Sequence, residues 1–413
     1  MVVTARPDGA ILPLIAAGTR RQGVHMMSRS VCAFIIASAV TGMAVAKQNE
    51  PAALLSDAAE RTSLLPSSPA ITSVGGFVQV RFDLNSREDP SPDDGTTMGF
   101  TTRRTTLNVK ADVTQDIAIF VQGSFAAGTG AHTLDDAFAT TTCDNGVVLK
   151  AGQFRMPLMR EELVLETRQL GAERSAMNSV FNQGRSQGVQ ISRRHDDWRW
   201  AFAFHDGINT ANTEFNSMAE AEYALTTRAE FLLQGNDWHR FNDFTSFMGA
   251  DMGVMAGLAA HWQSSGQDAT ALPVSGLFML TGDLSLEGDG WNAFVAAVWR
   301  HIDPRASGPD FDEVGVVAQA GIFLTPVWEG FARVDLVVPD DDRAPGVTEL
   351  TTITVGVNHY LIERSHAARI TIDMQYFSQE QSRTIVPVNP ALGLLADTNE
   401  SQWNFRGQLQ LAF

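Results

Sequence analysis

The closing segment of the chain alternates strictly. Trp403, Phe405, Gly407, Leu409, Leu411 and the terminal Phe413 occupy every second position, and Asn404, Arg406, Gln408 and Gln410 lie between them. Successive side chains of a β-strand point to opposite faces, so this spacing predicts an apolar sheet face backed by a polar one. From Gly75 to Phe413 the same texture recurs in segments of roughly ten residues separated by turn chemistry. Strands are predicted near 75–84, 99–110, 116–126, 131–142, 147–154, 187–194, 197–206, 221–234, 249–263, 274–287, 290–301, 314–325, 328–338, 350–361, 367–377 and 401–413. They number sixteen, an even count.

The connections say how these strands are joined. Thr114-Gln115, Asp144-Asn145-Gly146, Asp196, Gly288-Asp289, Pro326-Val327 and the Ile362–His366 turn are short. They alternate with mostly longer stretches at 85–98, 155–186, 207–220, 302–313, 339–349 and 378–400. Only 235–248 breaks the rule, being long on the short side. Segregation of loop length by side is the mark of an up-and-down transmembrane barrel; a soluble sandwich or propeller has no reason for it. Trp291 and Trp299 share one face of a single strand. At ~3.4 Å per residue and a tilt near 45°, they stand about 19 Å apart along the membrane normal, close to the spacing of two aromatic girdles.

If the apolar faces meet lipid, the opposite faces line a lumen. Its basic candidates are Arg81, Arg104, Lys110, Lys150, Arg194, Arg199, Arg228, Arg300, Arg333, Arg369 and Arg406. The acidic ones are Asp83, Glu222, Glu230, Asp251, Asp283, Glu287, Asp335 and Asp373, with Asp135 and Asp136 left open because 131–142 cannot be phased. Arginines in a hydrated pore can form an anion pathway, since guanidinium offers forked donors to phosphate or carboxylate. They can equally pair with carboxylates across strands and stiffen the wall. The connection 155–186 is the most distinctive stretch: Arg155, Arg160, Arg168, Arg174 and Arg185 are interleaved with Glu161, Glu162, Glu166 and Glu173. A loop of this length in a compact protein is usually functional. Folded inward, it sets a narrow, polar constriction with a weak preference for anions.

Ahead of the barrel, Met27–Ala46 has the form of a secretory signal. Arg29 is its basic start, Val31–Val40 its apolar centre and Ala44-Val45-Ala46 its cleavage site. Residues 1–46 are therefore expected to be a signal peptide whose true start is Met27, 47–73 a linker or N-terminal tail, and 74–413 one barrel. Without residues 1–46, which hold four arginines and one aspartate, 26 basic side chains face 46 acidic ones, a formal −20. That charge argues against nucleic acid as a partner. Much of the surplus acid falls in predicted outer loops, among them Asp310, Asp312 and Asp340–Asp342, and is either solvated or able to bind divalent cations. Two cysteines build neither a disulfide scaffold nor a zinc site, and Cys143 reads as an inert turn residue. Beyond the first fifty residues no apolar run approaches the ~18 residues of a membrane helix. No phosphate loop, metalloprotease motif, nucleophile elbow or dinucleotide fingerprint occurs, so no catalytic residue, metal or cofactor is expected.

Several short stretches resemble the phosphate-selective porins of the O and P type. They are Gly76-Phe77, Phe100-Thr101-Thr102-Arg103-Arg104, Leu134-Asp135-Asp136-Ala137-Phe138, Leu149–Leu158, Glu173-Arg174-Ser175 and Gly184–Val189, in order and with similar spacing. The resemblance extends over about 75–413. It implies an all-β fold: a single 16-stranded antiparallel transmembrane β-barrel with an inward-folded constriction loop, in the bacterial outer membrane. It further implies a homotrimer of separate pores in outer-membrane lipid, each passing small anionic or polar solutes. Lys110 and Lys150 match basic positions of that family, and Arg155, Arg174 and Arg185 sit in the loop. The lysine cluster of the best-studied members is absent, and Glu161, Glu162 and Glu166 stand nearby, so porin is implied more directly than phosphate. The expected anion path is Arg81, Arg104, Lys110, Lys150, Arg155, Arg160, Arg168, Arg174 and Arg185. The competing reading is a structural or adhesive barrel with a plugged lumen and acidic surface loops.

Overall fold

The structure, a computed structural model, describes residues 71–87, 95–265, 274–306, 308–397 and 401–413. The expected signal peptide and all but the last three residues of the expected tail lie outside the described residues. Those three begin the first strand instead.

Among the described residues, sixteen strands form one closed antiparallel barrel, each paired with its neighbours in sequence. In order they are β1 Ile71–Ser86, β2 Thr96–Asp112, β3 Ile117–Phe125, β4 His132–Thr142, β5 Val147–Arg155, β6 Arg185–Arg194, β7 Trp198–His205 and β8 Tyr223–Gln234. The second half is β9 Gly253–Ser264, β10 Val274–Gly288, β11 Trp291–Pro304, β12 Phe311–Thr325, β13 Trp328–Val338, β14 Leu350–Tyr360, β15 Ala368–Phe377 and β16 Gln402–Ala412. The ring closes between β1 and β16, with Phe77 opposite Ala412 and Asp83 opposite Arg406. Gly76 and Phe413 exchange backbone hydrogen bonds of 3.2 and 3.0 Å at the seam. Every predicted strand is present.

Alternation sorts the two faces. On β16, Phe405 is 41% and Leu411 51% exposed, whereas Arg406 and Gln410 are fully buried. Trp299 also points outward, with Val295 and Leu280 beside it on the apolar belt.

Two bulges explain why part of the pattern could not be phased. On β4 the pairing passes from Gln122–Asp136 to Gly123–Leu134, leaving Asp135 as the extra residue. On β2 it passes from Gln79–Arg104 to Val80–Thr102, leaving Arg103 extra. A bulge sets two consecutive side chains on nearly the same face. Asp135 and Asp136 both reach lumenal partners, and so do Arg103 and Arg104.

The interior departs from the expectation of a hydrated lumen throughout. Inner-face residues of β10–β15, among them Met279, Phe294, Val298, Val317, Phe331 and Phe377, join a dry cluster. They pack against Leu158, Met159, Leu170, Met177 and Phe181 of the connection 156–184. Strands β11 and β12 are apolar on both faces (Phe294-Val295-Ala296-Ala297-Val298, Val314-Gly315-Val316-Val317), the pattern of strands covered on both sides. The connection 378–397 adds Val386, Leu392 and Leu394 to the cluster. Its Gly393, at φ +91°, approaches β16 so closely that a Cβ would lie 1.8 Å from the Asn404 amide.

The exceptional connection extends over 235–252, so β9 starts at Gly253 rather than 249, and Asp251 lies in the connection instead of on the lumenal wall. It spreads across the short-turn end as a floor. Trp238 donates to the Asp196 carbonyl at 2.9 Å, Ser246 to that of Gly288 at 2.6 Å, and Thr245 meets the Tyr360 hydroxyl at 3.2 Å. Glu222, also expected on the wall, is an exposed residue ahead of β8.

Leu258 is 63% exposed near the middle of β9 on the outer belt. Leu258→Arg should cost about 2–4 kcal/mol in refolding equilibria in lipid, the penalty of an arginine near the bilayer midplane, whereas the outer-rim change Asp341→Asn should be nearly silent.

Candidate functional site: the inner loop and its arginine clasps

The connection 156–184 leaves β5, crosses the barrel interior and returns to β6. It contains two short helices, α1 Arg160–Leu163 and α2 Ala176–Phe181. Ser175 caps α2, its Oγ accepting from the Asn178 amide at 2.9 Å. Glu161 in turn accepts from the Ser175 amide (2.7 Å) and hydroxyl (2.6 Å). A loop this deeply buried must satisfy its backbone without bulk water, and the wall supplies the partners. Arg369 donates to the Gln169 carbonyl (2.8 Å), Asn358 to that of Leu170 (3.0 Å) and Arg333 to that of Glu173 (2.9 Å). Asp373 accepts from the Ala172 amide at 2.9 Å, and Asp335 from that of Met177 at 3.0 Å.

Three clasps of arginine on carboxylate hold the other side of the loop and its flank. In the first, Glu173 receives Arg81 (2.7 Å), Arg103 (2.6 Å) and Arg104 (2.5 Å). In the second, Glu166 receives Arg155 and Arg174, the latter at 3.2 Å, and both arginines also approach Glu162. In the third, Arg185 forks onto Asp136 at 3.0 and 2.9 Å. Between the loop and the β1–β4 wall remains a cavity of about 220 Å³. Arg103, Arg104, Arg185, Glu166, Asp135 and Gln122 are among its lining residues.

The expected path residues thus separate. Arg81, Arg104, Arg155, Arg174 and Arg185 converge on the clasps. Lys150 lies over the rings of Phe138 and Phe154, 4.8 and 4.9 Å from their centroids. Lys110 is exposed toward the short-turn end of β2. Arg160 is buried away from the cavity, donating to Ser285 on β10 (2.9 Å) and to the Phe241 carbonyl of the floor (2.6 Å). Arg168 is half-buried, and its carbonyl accepts from Phe244 of the floor at 3.2 Å. Arg103 was absent from the expected set because strict alternation would have turned it to lipid. The adjacent Arg103-Arg104 pair was the available signal: one of two neighbouring arginines in a spanning strand must face hydrocarbon unless a bulge intervenes.

Residues 74–239 match the family model described as phosphate-selective porin O and P. Over that stretch the chain is similar to these porins, and its closed sixteen-stranded barrel is the fold of a bacterial outer-membrane barrel. Solved structures similar to it include an anion-selective porin from Comamonas acidovorans, 11% identical with a TM-score of 0.58, the match covering 84% of this chain and all of that one. The outer membrane channel DcaP of Acinetobacter baumannii is 10% identical with a TM-score of 0.54, covering 82% of this chain and 96% of that one. OmpT, an outer membrane protein of Vibrio cholerae in trimer form, is 14% identical with a TM-score of 0.54, covering 83% and 99%. These likenesses are of fold. No curated protein matches.

The charge state of the loop follows from its clasps. Burial disfavours the ionised form of Glu173, but Arg104, Arg103 and Arg81 more than offset it and hold the carboxyl well below the usual carboxylate range. Burial of Glu166 is likewise outweighed, by Arg155, Arg174, Arg104 and Arg185. Both carboxyls have native values below their unfolded ones. Their stabilising contribution is therefore complete above the unfolded value of about 4.3 and is lost as pH falls through the depressed native values. Reversal potentials and heat-modifiable migration measured from pH 7 down to about 4.5 should show no titration from these two groups, with loosening confined to more acid conditions.

Proposed function

We propose that this porin passes small hydrophilic solutes, small anions among them, along a narrow path between the 156–184 loop and the β1–β6 wall. One observation carries the reading: most of the cavity's lining side chains are charged or polar, while the β10–β15 side of the interior is packed dry. Around it stand Arg81, Arg103, Arg104, Lys150, Arg155, Arg174 and Arg185 against Asp83, Asp135, Asp136, Glu162, Glu166 and Glu173. A single surplus positive charge about 8 Å from a permeating ion in a water-like dielectric is worth ~0.5 kcal/mol, which gives a few-fold preference for anions over cations. Phosphate passes as one small anion among others. The family match and the anion selectivity named for the Comamonas acidovorans porin support this direction. We read the protein as a channel rather than an enzyme, and as a homotrimer of separate pores, in keeping with the family and with the trimer form of OmpT.

The floor at 235–252 favours a second reading, a plugged barrel that works through its surface. Planar-bilayer recording separates the two. The expected result is small unitary steps and, in a KCl gradient, a reversal potential of mild anion preference. Silence after repeated insertions would return the plugged barrel, and clear cation preference would overturn the assigned sign. Cross-linking of detergent-extracted protein should stop at three subunits.

A further inference from the structure

The Glu173 clasp has more cation than its carboxylate requires. Two oxygens receive Arg81 Nη1, Arg103 Nε and Nη2, and Arg104 Nη1 and Nη2, between 2.5 and 3.4 Å. A carboxylate has about four lone-pair positions, so these contacts saturate it. Its charge is one against three, and among the described residues the only second acid in contact is Asp83, on Arg81 at 2.8 Å. Loop placement does not account for the arrangement, because Arg333 holds the Glu173 carbonyl, and Arg369, Asn358, Asp373 and Asp335 hold the neighbouring backbone. Nor are all three guanidiniums shut away from the path. Arg103 is 21% and Arg104 16% exposed, both line the cavity, and Arg103 is there only because β2 bulges.

We propose that Glu173 is a specificity-determining residue of the pore: its carboxylate is a tethered anion occupying an oxyanion cradle built by Arg81, Arg103 and Arg104. While it sits there, the cradle's charge is largely spent on the chain itself, and passing anions meet a wall close to neutral. Its removal would leave the forks of Arg103 and Arg104 facing a cavity large enough for a small oxyanion such as phosphate or a short carboxylate, with Arg81, also held by Asp83, buried behind them. Guanidinium forks match those groups bidentately. Glu166 does not have this role, since its two arginines are shared with Glu162 and bond the loop's own carbonyls.

The inference rests on the porin reading, and wild-type currents test that reading separately. Glu173→Gln keeps the side chain's shape and removes its charge. In a KCl gradient its reversal potential should shift toward anions by about threefold or more in permeability ratio relative to wild type. Inorganic phosphate added to chloride should then reduce the variant's current saturably and leave wild type unaffected. Asp341→Asn, the same charge change on the outer rim, should leave the reversal potential in place, because mobile ions screen beyond about 10 Å at 0.1 M salt. Should Glu173→Gln fail to assemble, Arg103→Gln provides the reciprocal measurement, with a shift toward cations of similar size. An unchanged reversal potential in an assembled Glu173→Gln pore, or in Arg103→Gln if the first variant is not recovered, would overturn the proposal. Phosphate sensitivity equal to wild type would remove the oxyanion cradle.

Discussion

Inside a bilayer an unpaired backbone amide or carbonyl has no water to turn to, and each one costs several kcal/mol. An open sheet edge would present a whole row of them. The β1–β16 pairing removes that row, and the rest of the architecture answers to it. Closing a ring of sixteen strands fixes which side chains face out. It also leaves an interior too wide for wall side chains alone to fill, as sixteen-stranded barrels do. Long connections must then occupy the inside or leave it to water.

This barrel does both, on opposite sides. Along β10–β15 the wall is apolar inward as well as outward, and the 156–184 and 378–397 connections pack on it as the layers of a soluble protein would. Along β1–β6 the wall is polar, and the loop meets it through arginine and carboxylate. Breaking one partner of a buried ion pair typically costs about 3–5 kcal/mol, because the other is left charged and unpaired. The loop edge is thereby held as rigidly on the wet side as packing holds it on the dry side. The proposed path between loop and wall needs that rigidity. The 235–252 floor extends it downward, since Arg160 reaches from α1 to the Phe241 carbonyl.

Pairing is also what tempers the arginines. Counted as residue types, lumenal guanidinium suggests a strongly anion-attracting pore. Counted as pairs, Arg228 belongs to Asp283 and Glu230, Arg300 to Glu313, and Arg406 to Asp373, and little free charge remains. Of the two readings open for these side chains, stiffening of the wall describes most of them. On the proposed path the field then depends on how fully Glu173 neutralises Arg103 and Arg104.

Strand count, strand order and the lipid-facing side were legible in the chain because they depend on local periodicity. The Trp403–Phe413 alternation needs only the geometry of an extended backbone, and it holds whatever lies opposite. That the connection after β5 packs inside the barrel was legible from its length and its interleaved charges. Which arginine meets which acid was not, because Arg81 and Glu173 stand 92 positions apart and come together only once the barrel closes around the loop. The two bulges were illegible for a related reason: an extra residue in one strand is defined by its partner strand, so Arg103 and Asp135 turn inward only in the pairing. The inner apolar wall and the floor belong to the same class. Alternation tells a strand that it has two faces, and only the closed barrel tells those faces what they touch.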